Sequence, residues 1–103
     1  MIKIYNLKYK KPEHEYDIRI DRQSILGNPY KMNNESEREY VCFKYERYFR
    51  QDLENSDFYN ELIKLKNLYE HYGKLNLFCW CAPKMCHGRT IKNYIEKMVW
   101  SFH

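Results

Sequence analysis

The stretch Leu75-Asn76-Leu77-Phe78-Cys79-Trp80-Cys81-Ala82-Pro83-Lys84-Met85-Cys86-His87-Gly88 decides the fold. An almost continuous apolar run, Leu75 to Cys81, lies between the breaker Gly73 and Pro83. A short apolar run bounded by turn signals reads as a buried central strand. The two-residue period puts Leu75, Leu77, Cys79 and Cys81 on one face, and Phe78 and Trp80 on the other. A helix begins near Gly88 to Thr90. Its buried stripe is Ile91, Tyr94, Ile95, Met98, Val99 and Phe102, with Lys92, Asn93, Glu96 and Lys97 facing water. The chain therefore leaves the carboxyl end of a strand and turns into a helix. That edge is where open α/β sheets bind ligands.

Upstream, Lys3 to Tyr9 alternates and is rich in β-formers, and reads as a strand. Lys10 to Glu15 contains Pro12 and reads as a turn. Tyr16 to Asp21 sets Tyr16, Ile18 and Ile20 against Asp17, Arg19 and Asp21, the pattern of a half-exposed strand. Gln23 to Glu35 is an irregular loop broken by Gly27-Asn28-Pro29, and long ordered loops often carry function. Ser36 with Glu39 reads as a capping box. The helix it opens runs to about Leu53, with the stripe Val41, Cys42, Tyr45, Tyr48 and Phe49. Asn55-Ser56-Asp57 caps a second helix with Phe58, Leu62, Leu65, Tyr69 and Tyr72 on one face. Gly73 ends it as a left-handed cap. The order is strand, strand, helix, helix, strand, helix. It predicts an α/β fold, small and three-layer-like, with a mostly parallel or mixed sheet of about three strands and three helices.

The length, 103 residues, predicts one domain. Hydrophobic residues make up 44% and include eleven Tyr, five Phe and two Trp, which excludes a disordered chain. Scarce Ala beside abundant Lys, Asn, Tyr and Ile reads as the codon bias of an AT-rich genome, a phage or a low-GC bacterium. The net charge of +4 permits an anionic partner without demanding one, and a duplex binder shows a denser basic stripe. Lys8 to Lys11 is the basic cluster and reads as a solvated turn. No segment reaches the roughly 18–20 apolar residues of a membrane span, and the opening Met1-Ile2-Lys3-Ile4-Tyr5 lacks the pattern of a signal peptide. A cytoplasmic location, in a host cytoplasm if phage-encoded, and reduced thiols are therefore expected.

The segment from Cys79 to Gly88 carries the chemistry. The amino end of a helix offers unpaired amides and partial positive charge, so a phosphate or carboxylate would be stabilised there, beside Arg89 and Thr90. The same field, with His87 and Arg89 near, would lower the pKa of Cys86 and make its thiolate a nucleophile. Chain neighbours need not face each other, so the base for Cys86 stays open. Cys79, Cys81, Cys86 and His87 also form a legitimate zinc set. Their spacing argues against it. Two residues apart on a strand, Cys79 and Cys81 would sit roughly 6–7 Å from each other, whereas one ion takes sulfurs at about 2.3 Å. Each cysteine, Cys42 above all, also reads as a packing residue. His14, His71 and His103 read as surface residues, and Trp80 and Trp100 as core.

Two blocks together resemble a small uncharacterised family of bacterial, archaeal and phage proteins, the domain of unknown function DUF4326. The first is Tyr16 to Arg22, Ser24 and Leu26-Gly27-Asn28-Pro29-Tyr30, similar to the family's Arg and Gly-Asn-Pro loop. The second is Cys79-Trp80-Cys81-Ala82-Pro83 with Cys86-His87-Gly88, similar to its Cys-His-Gly-Asp motif. Ile4-Tyr5-Asn6-Leu7 resembles its opening strand, and Glu37, Arg38 and Tyr45 fall where its first helix carries similar residues. The family's Asp after the Gly is Arg89 here, which removes any acid, base or ligand role of that Asp; Thr90 can replace it only as a helix cap. The resemblance implies no known activity. It implies that Arg22 and the Gly27-Asn28-Pro29 loop approach the Cys86-His87 loop, with Arg22 supplying a fork of donors for an anion.

These readings converge on an uncharacterised protein that binds or processes a nucleotide-like or other anionic ligand. Cys86 and His87 are the catalytic candidates. Asn6, Arg22, Ser24, Gly27, Asn28, Arg38, Arg89 and Thr90 are the ligand-binding ones. Whether it is an enzyme stays open. The alternative is a non-catalytic module that binds a protein or a nucleic acid, its Cys/His cluster structural, with or without zinc as cofactor.

Overall fold

The structure, a computed structural model, describes residues 1–101 and the side chains as far as Val99. The expectations for Phe102, His103 and the Trp100 side chain lie outside the described residues. Strands β1 (Ile2–Asn6) and β2 (Asp17–Arg19) come first. Helices α1 (Arg38–Asp52) and α2 (Ser56–Tyr72), strand β3 (Leu75–Cys79) and helix α3 (Gly88–Ser101) follow. This is the α/β order that the sequence predicts.

The apolar run forms the centre of the sheet. Strand order is β1-β3-β2, and both pairings are parallel. Ile2 pairs with Leu75 and Asn6 with Cys79 on one side, and Asp17 pairs with Asn76 and Arg19 with Phe78 on the other. A central parallel strand is buried on both faces, which is why Leu75, Leu77, Phe78 and Cys79 are all buried. Leu75, Leu77 and Cys79 join Ile2 and Ile20 in one cluster with the helix residues Tyr45, Phe49, Phe58, Leu62, Leu65, Ile91 and Ile95. The helices thus place their buried stripes on that face. Each fully buried Leu, Ile or Phe there contributes on the order of 1.5–3 kcal/mol. Phe78, on the opposite face, is buried outside that cluster and meets the Tyr5 ring at 5.4 Å.

Local signals set the ends. Asn55 caps α2, its Oδ1 accepting from the amides of Asp57 and Phe58, and Gly73 closes it at φ 72°. The capping box at Ser36 does not form. A 3-10 turn, Glu35–Glu37, precedes α1, and Asn34 caps it through the Ser36 amide. The reciprocal carboxylate is Glu37, which accepts from the Asn33 amide at 3.2 Å. The tighter turn moves the cap two residues upstream. Strand β3 stops at Cys79, two residues short of the predicted end. The Asn6 side chain draws the carbonyls of Trp80 and Ala82 out of strand alignment, donating to them at 3.2 and 2.9 Å. Lys8, Tyr9, Lys10 and Lys11 are exposed, as are His14 and His71.

Candidate functional site

The carboxyl ends of β2 and β3 open into a cleft of about 510 Å³. Asp21, Arg22 and Gln23 wall it from the β2 side, Asn28, Tyr30 and Met32 from the following loop, Arg38, Val41 and Cys42 from α1, and Cys79 to Cys81, Met85 and His87 from the last loop. Arg22 and the Gly27-Asn28-Pro29 loop therefore lie beside the Cys86-His87 segment.

Internal bonds hold that geometry. Arg22 donates from Nε to the Asn28 carbonyl at 3.2 Å and from Nη2 to the Tyr30 carbonyl at 3.4 Å. The Nη1 corner of its fork has no partner among the described residues. Asn28 Oδ1 accepts from the Tyr30 amide at 2.9 Å, which leaves its Nδ2 donor to the cleft. Tyr45 donates its hydroxyl to the Leu26 carbonyl at 2.7 Å and so pins the loop from below. Its ring meets the His87 ring edge-on at 4.9 Å.

Trp80 contradicts its expected place in the core. It is 58% exposed, because the chain has left the sheet by that point. Its indole N–H donates to Asp21 Oδ2 at 3.0 Å, and the same carboxylate takes Arg19 on both oxygens. The Arg19 bonds first, then the Trp80 bond, hold the Asp21 carboxyl below its ordinary value against the opposing effect of burial. Asp21 is the site residue that sequence reasoning missed. Polar and buried at the end of a half-exposed strand, it gives no signal except adjacency to Arg22.

His87 is 7% exposed, and its Nε2 bonds the Ile20 carbonyl. A carbonyl only accepts, so Nε2 carries the proton and Nδ1 the lone pair. Burial pushes its pKa below the ordinary histidine value, although the Ile20 carbonyl works the other way. His87 is thus a neutral imidazole in the cleft wall.

The thiols divide. Cys86 is 5% exposed, belongs to the core cluster and is not one of the residues that line the cleft. Cys79, Cys81 and Cys42 do line it. Cys79 Sγ and Cys86 Sγ lie 3.3 Å apart. The Cys79 thiol, then the Gly88 amide, hold Cys86 below the usual thiol value. The bond to Cys79 first, then burial, push Cys81 up. Strand β3 ends at Cys79, so Cys81 lies beyond the strand on which the expected separation was reckoned. Even so, no group of three or more His, Cys, Asp or Glu side chains among the described residues is arranged to hold a metal ion. The Nε2 of His87 is already committed to Ile20.

The other candidates serve the frame. Asn6 spends Nδ2 on Trp80 and Ala82 and Oδ1 on the Lys8 amide. Ser24 Oγ accepts from the Leu26 amide. A Cβ on Gly27 would stand 2.4 Å from the Asp21 carbonyl oxygen. Arg38 pairs with Glu35 through Nε and Nη2 and donates from Nη1 to the Met85 carbonyl at 2.9 Å, clasping α1 to the last loop. Arg89 and Thr90 face a different groove of about 620 Å³, between α1 and α3. Two of the expected free amides of α3 are also engaged: Arg89 bonds the Cys86 carbonyl and Thr90 the His87 carbonyl.

A three-stranded parallel sheet whose central strand runs through a Cys/His turn into a closing helix, with an Arg-bearing loop beside it, defines a small α/β protein with a cleft at the sheet's carboxyl edge. The chain belongs to the family described as Domain of unknown function (DUF4326), which matches residues 5–97. No curated protein and no solved structure matches it. Among the described residues, no helix is long and apolar enough to cross a membrane.

Proposed function

We propose that the cleft binds a small anionic ligand of the nucleotide type, with the Trp80 indole as platform for a planar base and Arg22 as partner for its phosphate. The observation that carries this is the pairing, in one cleft of about 510 Å³, of an exposed indole and an incompletely used guanidinium. Pockets for small ligands run about 300–1,000 Å³ and set a few polar groups in an apolar wall. Here both anchors are fixed in advance, Trp80 by Asp21 and Arg22 by two carbonyls. Fixing them beforehand lowers the entropy lost on binding. Asn28 Nδ2 and His87 Nδ1 would add one donor and one acceptor for the base edge or sugar. The role is binding; Cys86 lies behind the wall, and nothing about the cleft supports it as nucleophile.

The test is a thermal-shift and calorimetric comparison of the four ribonucleoside monophosphates with inorganic phosphate at equal concentration. A monophosphate should stabilise the protein more than phosphate does. Trp80→Ala and Arg22→Ala should each weaken binding by about tenfold, since a stacked base or a charged hydrogen bond contributes roughly 1–3 kcal/mol. Absence of any nucleotide effect at millimolar concentration, or wild-type affinity in both variants, would overturn the proposal.

A further inference from the structure

We propose that Cys79 and Cys86 form a redox-active dithiol that peroxide converts to an intramolecular disulfide, locking the end of β3 to the start of α3. This goes beyond the binding reading and does not depend on it.

The geometry carries the inference. The two sulfurs stand 3.3 Å apart, in contact and side by side. A disulfide needs about 2.05 Å, so closure asks the sulfurs to approach by little more than about 1 Å. Rigid elements anchor both residues: Cys79 is the last residue of β3, and Cys86 lies two positions before α3. They are 1% and 5% exposed, which keeps out other protein thiols and bulky disulfides, and Cys79 lines the cleft by which a small oxidant would approach. The environment also distinguishes their roles. Cys86 is the thiol held below its usual value and Cys79 the one pushed up, which makes Cys86 the attacking sulfur. Packing alone explains the burial of one cysteine. It does not explain two sulfurs in contact at the junction of β3 and α3.

The reaction balances with hydrogen peroxide as oxidant. The Cys86 thiolate attacks one peroxide oxygen, the O–O bond breaks, and the departing hydroxide leaves as water after taking a proton. Cys86 sulfur is oxidised by two electrons to the sulfenic acid, and the peroxide is reduced. Cys79 sulfur then attacks the Cys86 sulfur; the S–S bond forms, the S–O bond breaks, and the Cys79 proton leaves with the hydroxyl as a second water. Two thiols and one peroxide become one disulfide and two waters. Cys81 and Cys42, which also line the cleft, remain thiols.

The experiment is peptide mapping of the folded full chain after brief exposure to hydrogen peroxide and quenching with N-ethylmaleimide, without reductant. The expected product is a linked pair of peptides carrying Cys79 and Cys86, with Cys42 and Cys81 alkylated, reversed by dithiothreitol. Protein oxidised in urea serves as the reference and should show mixed pairings. The linkage should persist in Cys42→Ser and disappear in Cys86→Ser. Dominant Cys79–Cys81 or Cys42–Cys81 linkage in the folded protein, no linkage at all, or the same mixture as in urea would overturn the proposal. The wild-type map decides it even if Cys86→Ser does not fold.

Discussion

At the scale of single residues, Tyr45 ties three parts of the chain together. It is fully buried in the core, its hydroxyl holds the Leu26 carbonyl, and its ring abuts His87. Tyr45→Phe keeps the ring and orphans a buried carbonyl, so it should cost about 1–3 kcal/mol in urea unfolding. Gly27 should be less tolerant still. An added Cβ would collide with backbone at Asp21 and Arg22, which cannot swing aside like a side chain. Gly27→Ala should therefore destabilise by more than about 2 kcal/mol, against about 1 kcal/mol for Gly73→Ala, where the strain is φ alone.

His87 makes the fold sensitive to mild acid. Its folded pKa lies below the unfolded value of about 6.5, so between the two the unfolded chain binds the extra proton. Stability from this group is complete above the unfolded value and is lost as pH falls toward the folded one. The slope is at most about 1.4 kcal/mol per pH unit. Urea midpoints between pH 7.5 and 5 should fall accordingly, and NMR should show His87 titrating below the ordinary histidine value. A His87 pKa at or above the ordinary value would contradict the burial account.

At the scale of elements, what was legible in the sequence followed from local physics. The apolar run of β3, the Asn55 cap, the Gly73 stop and the stripes of α1, α2 and α3 each depend on neighbours within a turn or two of chain. Two boundaries depended on distant partners. The strand end at Cys79 is set by Asn6, more than seventy residues upstream, whose amide takes the Trp80 and Ala82 carbonyls. The placement of Trp80 on the surface depends on Asp21 across the sheet. Neither contact leaves a pattern in nearby sequence. The resemblance supplied the one long-range link that local reading lacked, the approach of the Arg22 loop to the Cys/His turn. It could not show that Cys86 faces the core, or that Arg89 and Thr90 face the α1–α3 groove. Asn6→Asp replaces two donated bonds with a carboxylate against two carbonyls. It should cost about 2–4 kcal/mol, and in the variant that folds the Trp80 emission should shift to the red as the indole loses its fixed position.

At the scale of the molecule, the two depressions that share Cys42 and Met85 compete for the role of binding site. The larger, between α1 and α3, mixes Glu39 and Glu46 with Arg50 and Arg89 and is bounded by helical surface. The smaller lies at the carboxyl edge of the parallel sheet, holds the indole, the Arg22 fork and the neutral imidazole, and is framed by backbone that Asn6, Tyr45 and Arg38 fix in place. Volume favours the first; chemistry and preorganisation favour the second. The most direct measurement is a titration of isotopically labelled protein with a ribonucleoside monophosphate, followed by NMR. Saturable shifts are expected at the Trp80 indole N–H, the Arg22 side chain and the Asn28 and Tyr30 amides, with the α1–α3 groove silent. Saturable shifts confined to Arg50, Arg89 and Asn93, or none at any site, would contradict that assignment.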